Sequence, residues 1–153
     1  MTSQAIEPPT DRQERSAVLA TAPAADLLRH WQALGLDPDF RFVRGPEIGL
    51  VSLRGRIGGG GAPFPFGDAT ATRATVRLDD GRVGHAMTLG RDSQRATIAA
   101  VVDALCQDAG ERNRVHEQLI APLQEAIRKR DDTRAAETAA TRVDFFTMVR
   151  GED

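Results

Sequence analysis

Between Phe40 and Leu89 the apolar residues recur at every second position, and on either side of that stretch they recur at every third or fourth. A period of two belongs to strands and a period near 3.6 to helices, so a chain with this pattern folds as a sheet segment set between helices. The N-terminal helices come with their own punctuation. Thr10 followed by Gln13 fits a capping box, opening a short helix that carries Val18 and Leu19 and stops before Pro23. Leu27, Leu28, Trp31 and Leu34 then form one apolar stripe, with Trp31 as a core anchor and Gly35 as the stop.

Inside the period-two stretch, Phe40, Phe42 and Val43 predict a first strand, Gly45-Pro46 a turn, and Ile48 to Arg56 a second strand with apolar residues facing both ways. A loop rich in glycine and proline is expected from Ile57 to Gly67. Ala74, Val76 and Leu78 alternate with Arg73, Thr75 and Arg77, giving a strand with one buried and one polar face. Asp80-Gly81 suits a two-residue primed hairpin turn. On the return strand Gly84, Ala86 and Thr88 make a small-residue face that invites close approach by a helix or another chain, with Val83, His85, Met87 and Leu89 opposite.

Asp92 is the expected N-cap of a helix with Ile98, Val101, Val102, Leu105 and Cys106 on its core face. In that position Cys106 reads as a small buried hydrophobe rather than a nucleophile, and as the lone cysteine it excludes an intrachain disulfide and a cysteine-based zinc cluster. A further helical stretch begins near Glu111 and carries Val115, Leu119, Ile120, Leu123 and Ile127, kinked or restarted at Pro122. From Arg128 to Arg142 no large apolar residue appears, so this stretch is either solvated or lies across a partner. The expected fold class is α+β: a small mixed or antiparallel sheet over about residues 40–89, packed with N-terminal and C-terminal helices, and an extended C-terminal arm. Residues 1–9 form a flexible lead-in, 10–142 a single domain, and 143–153 an arm docked on a partner.

Composition narrows the function. Of 62 hydrophobic residues 23 are alanine, a thin supply for a self-sufficient core. The net charge of −2 carries no footprint for nucleic acid or an anionic membrane. No apolar run is long enough to span a bilayer and no signal peptide opens the chain, so a soluble cytoplasmic protein is expected. His30, His85 and His116 sit in no ligand spacing, and no metal site is expected. Glu47 and Asp68 flank the central segment without defining a carboxylate pair.

The segment most suggestive of chemistry is Arg54-Gly-Arg56-Ile-Gly58-Gly59-Gly60-Gly61, continued by Thr72 and Arg73. Successive glycine N–H groups and three arginines have the chemistry of a phosphate cradle, although neither the P-loop ending nor the dinucleotide spacing is present. A flexible hairpin connection explains the same glycines without a ligand. The tail Val143-Asp-Phe145-Phe146-Thr-Met148-Val-Arg150 is apolar on both faces in an extended reading. Left in water, two adjacent phenylalanines cost several kcal/mol at about 25 cal/mol per Å². It either tucks into the chain's own sheet or is buried in another subunit, with Val143, Phe145, Phe146, Met148 and Arg150 as the contact residues.

Taken together, Arg56-Ile-Gly-Gly-Gly-Gly61, Gly67-Asp68-x-Thr-x-Thr72-Arg73-Ala74-x-Val76-x-Leu78, Leu89-Gly90-Arg91-Asp92, Leu119-Ile-Ala-Pro-Leu123 and the ending Arg142 to Gly151 resemble the PhnG family. This is the G subunit of the bacterial carbon-phosphorus lyase core complex, and the likeness runs in order from about residue 16 to the C-terminus. Gly60 stands where threonine is frequent, Asp68 where glutamate also occurs and Ala74 where some relatives carry cysteine. The resemblance implies an accessory subunit that acts with the I, H and L subunits to displace adenine of ATP by a phosphonate, giving ribose 1-phosphonate 5-triphosphate. It implies direct contact with the I subunit, a symmetric core with H and J subunits holding two copies of each chain, and K and L subunits in the wider system. ATP is then a substrate of the complex, with no cofactor bound by this chain alone, and no catalytic residue is carried over. The alternative is a phosphate- or nucleotide-binding module built on the glycine run and its arginines.

Overall fold

The structure is a computed structural model and describes residues 10–56 and 60–141. Two helices lead, α1 (Asp11–Thr21) and α2 (Ala24–Leu34). The Thr10 hydroxyl accepts from the Gln13 backbone N–H while the Gln13 side chain accepts from Thr10, the reciprocal pair read from the sequence. Gly35 ends α2 at φ 64°, a left-handed conformation that glycine adopts without strain.

Three strands follow, β1 (Phe40–Gly55), β2 (Phe64–Leu78) and β3 (Val83–Leu89), in one antiparallel sheet of order β1-β2-β3. The expected turn at Gly45-Pro46 is absent: β1 runs on through it. Register shifts against β2 between Phe42 and Arg44 and between Arg44 and Glu47 absorb the extra residues as bulges. A bulge leaves one residue out of the ladder, which is where a proline without an N–H fits. The loop expected to reach Gly67 is shorter, because Phe64 already pairs with Gly55. At the β2–β3 hairpin Gly81 donates to the Leu78 carbonyl at 2.9 Å and takes φ 95°. Asp79 and Asp80 therefore occupy the turn centre at negative φ, so the primed turn at Asp80-Gly81 is replaced by an ordinary turn with glycine just after it.

Helix α3 (Ser93–Leu105), capped by Asp92, lies over β2 and β3. It sits against the small face of β3: a Cβ on Gly84 would stand 2.0 Å from the Ala100 carbonyl oxygen. Ala74, Val76 and Leu78 meet Ala96, Ala100, Val101, Ala104 and Leu105 in this layer. On the other side of α3 a second cluster joins Leu19, Leu27, Leu34, Val102, Leu119, Ile120 and Leu123. Alanine and glycine thus let backbones approach closely where large side chains are few, which is how a thin apolar supply closes two small cores.

The chain continues through α4 (Ala109–Val115), a π-helical turn (His116–Ile120) and α5 (Ala121–Ala140). The kink expected at Pro122 takes the form of this wide turn, in which the Ala121 N–H reaches back five residues to the His116 carbonyl. Widening makes room for a proline ring that would otherwise press on the carbonyl four residues earlier. Leu123 is fully buried, whereas every residue from Arg128 to Thr141 is exposed. Among the described residues no helix is long and apolar enough to cross a membrane.

Candidate functional site

The longest feature of the sheet is also its least covered. β1 and β2 pair from Phe40–Leu78 to Gly55–Phe64, but β3 pairs with β2 only between Ala71 and Arg77. The remaining seven positions of β2, Phe64 to Thr70, run with Leu50–Gly55 as a two-stranded ribbon, about 20 Å long at roughly 3.3 Å per residue. Isolated two-stranded ribbons are marginal in water, and this one is held by its continuity with the three-stranded part of the sheet.

The arm and the length of β1 leading to it carry apolar side chains that nothing among the described residues covers. Directly paired residues share a face, so Phe40, Phe42, Ile48 and Leu50 lie on the helix side of the sheet with Leu78, Val76, Thr72 and Thr70. α3 covers β2 and β3 on that side and reaches β1 far less. Phe42 is 46% exposed, Ile48 52%, Leu50 71% and Phe66 59%. At 150–250 Å² per aromatic side chain, such exposure leaves several hundred Å² of apolar surface bare, the scale at which a patch marks a binding surface. The stripe runs into an open cleft of about 510 Å³ lined by Leu28, Trp31, Phe40, Ile98 and Val101. No titratable side chain lines that cleft.

The residues read as a phosphate cradle do not converge. Gly60 and Gly61 lie at the tip of the arm and are exposed, as are Arg54 and Arg56; Gly58 and Gly59 lie outside the described residues. Arg73 pairs with Glu47 and is eight positions along β2 from Pro65, the partner of Arg54, about 26 Å at 3.3 Å per residue. Thr72 is fully buried, and its hydroxyl donates to the Gly90 carbonyl at 2.7 Å. The contact residues expected in the tail, Val143, Phe145, Phe146, Met148 and Arg150, lie outside the described residues as well.

Acid–base machinery is equally dispersed. Glu47 faces away from α3 and Asp68 toward its side, where Asp68 accepts from the Ser52 hydroxyl at 2.8 Å, so they form no carboxylate pair. The Glu47 carboxylate accepts from Arg44 Nε at 2.8 Å and Arg73 Nε at 3.2 Å, and these bonds, that of Arg44 foremost, hold it below the usual glutamate range. Asp103, buried on α3, accepts two bonds from Arg12 and one from the His85 backbone N–H, tying α1 to β3. Cys106 is buried and burial pushes its thiol up, against nucleophilic use. Among the described residues no group of three or more histidine, cysteine or carboxylate side chains is placed to hold a metal ion. Sequence reasoning put Arg77 on the polar face of its strand but missed that Arg41 and Arg44 of β1 join it there. Their signal was Gly45-Pro46, read as a turn where a bulge re-aims the strand.

Among the described residues, those read from the sequence as candidates converge on no single site. The family model described as "Phosphonate metabolism protein PhnG" matches residues 10–151. The chain belongs to the PhnG family. A curated relative, "Alpha-D-ribose 1-methylphosphonate 5-triphosphate synthase subunit PhnG" of Rhizobium meliloti (strain 1021), is 53% identical over 145 residues, covering 93% of this chain and 90% of that protein. The resemblance read from the glycine run, the Leu89–Asp92 segment and the C-terminal ending is therefore borne out. For a PhnG chain the bare arm and the absence of a convergent site among the described residues fit a member of a larger assembly.

Proposed function

We propose that this chain is a non-catalytic subunit of an α-D-ribose 1-methylphosphonate 5-triphosphate synthase in the bacterial carbon-phosphorus lyase system. It acts with the I, H and L subunits in a reaction in which a phosphonate oxygen displaces adenine from the ribose of ATP. The I subunit is its direct partner, in a cytoplasmic core complex that also holds H and J subunits and two copies of each chain; K belongs to the wider system. The observation that carries this reading is the β1–β2 arm. Leu50 and Phe66 on it, and Phe42 and Ile48 leading to it along β1, are apolar side chains that nothing among the described residues covers; they would be a liability in a lone protein and are a docking surface in a subunit. The exposed alanine-rich half of α5 and the apolar tail that follows extend the same logic.

Two measurements test it. The purified chain given ATP and methylphosphonate releases no adenine, and addition of the other subunits starts release; adenine formed by the chain alone overturns the proposal. Deleting residues 143–153 abolishes co-purification with the I subunit, and a retained complex shows that the tail serves this chain instead. The nucleotide-binding alternative has its own assay, the joint change of Arg54, Arg56 and Arg73 to alanine. Loss of ATP affinity with assembly intact would favour it, whereas the subunit reading expects assembly to suffer.

A further inference from the structure

On the sheet face turned away from α3, an arginine stands opposite an arginine. Arg41 and Arg77 are directly paired across β1 and β2. Directly opposed side chains have Cβ atoms about 4.5–5.5 Å apart, and like charges so placed destabilise the sheet. The next pairs on this face are Arg44 with Thr75 and Glu47 with Arg73. The two bulges produce this arrangement: they turn Arg41, Arg44 and Glu47, spaced three apart, to the same side, which a regular strand cannot do.

The charges on this face do not balance among themselves. One carboxylate, Glu47, serves both Arg44 and Arg73. Among the described residues no carboxylate lies within 4 Å of Arg41 or Arg77, and this includes Asp39 and Asp79, which continue the two strands beyond that pair. All four arginines are exposed. From Arg73 to Arg77 the cationic stripe is about 13 Å long at 3.3 Å per residue, too extended for one phosphate and matched to several side chains of a polypeptide. Past Arg73 the same face turns apolar, with Met87 opposite Arg73 and Leu89 opposite Ala71, 58% and 60% exposed.

We propose that this outer face docks a segment of a partner subunit that sets carboxylates over Arg41, Arg77 and Arg44 and apolar side chains over Met87 and Leu89. The inference rests on the subunit reading above and adds a second docking surface, on the opposite side of the sheet from the apolar stripe. Arginine–carboxylate pairs form two parallel charge-assisted bonds, and burying them in the assembly relieves the repulsion that the free chain carries. The face therefore sacrifices stability in the free chain for attraction in the complex.

That opposition of sign supplies the test. Arg77→Glu turns the cross-strand repulsion into attraction, so the urea midpoint of the full chain holds or rises, while its affinity for the co-expressed synthase subunits falls tenfold or more. Wild-type association weakens as NaCl is raised through the range that screens surface charge, about 0.05–0.5 M, and the variant loses most of that dependence. Leu89→Ser weakens association with the salt dependence kept. Unchanged assembly of Arg77→Glu overturns the proposal and leaves the subunit reading standing. Failure of the wild-type chain to enter any complex brings down both. Saturable binding of inorganic triphosphate by the wild-type chain, lost in Arg77→Glu with assembly intact, makes the face a small-anion site and overturns the proposal too.

Discussion

Gly84 carries more of the fold than its size suggests. Its missing side chain lets α3 settle on β3 with the Ala100 carbonyl oxygen 2.0 Å, and the Ala104 nitrogen 2.6 Å, from where a Cβ would stand. Both are backbone atoms, so no rotamer change relieves the clash and the whole helix must lift. Gly84→Ala is expected to cost about 3 kcal/mol or more, the upper end of overpacking penalties, read as a lowered urea midpoint. Stability within 1 kcal/mol of wild type would show that α3 is free to slide. Glu47 gives a second test at this scale. Its carboxyl titrates below the ordinary glutamate value of about 4.3 because Arg44, and then Arg73, stabilises the ionised form. A depressed folded-state value contributes stability above the ordinary value and loses it as pH falls through the depressed one. Carbon-detected NMR should find the Glu47 midpoint low, and closer to ordinary in Arg44→Ala than in Arg73→Ala; a midpoint indifferent to Arg44 would refute the assignment.

Among the elements, the arm separates folding from assembly. The ribbon beyond Leu53–Gly67 packs on neither core cluster. Replacing residues 54–66 with Asn-Gly, which closes the strands by a two-residue turn, should leave stability within about 1 kcal/mol, as expected for a marginal two-stranded ribbon. Complex formation should weaken, because Phe64 and Phe66 go with the arm while Phe42, Ile48 and Leu50 stay, and unchanged affinity would move the docking surface elsewhere. The helices were legible in the sequence because their signals are local: Thr10 with Gln13, Gly35 and Asp92 each terminate a helix by bonds or dihedrals within a few residues. The small face of β3 was legible because Gly84, Ala86 and Thr88 alternate strictly. Gly45-Pro46 misled because a turn and a bulge use the same residues, and only the partner strand decides between them. For the same reason the outward set of Arg41, Arg44 and Glu47 was hidden: their spacing of three matches no regular strand face.

Across the whole molecule, stability and exposure are segregated. Two small clusters meeting at α3 hold the fold, while the arm, the outer arginine face and the far half of α5 remain open. Distance explains why the candidate phosphate cradle looked coherent in sequence and is not coherent in space. Arg54 and Arg73 are 19 residues apart in the chain, and the hairpin folds between them, yet it brings Glu47, not Arg54, to Arg73. Strand length, which sets how far the tip travels, depends on pairing that no local motif records.

One consequence concerns the life of the protein in a cell. Among the described residues, β1 has an unpaired edge along all 16 of its residues, and β2 has no partner on its other side from Phe64 to Ala69. Open edges recruit other strands, and bare apolar stripes recruit chaperones and proteases. Copies made in excess of their partners are therefore the ones removed, so abundance is governed by how much partner is available rather than by how much chain is synthesised. A pulse-chase with and without the other subunits should show a short half-life for the orphan and a long one for the assembled chain.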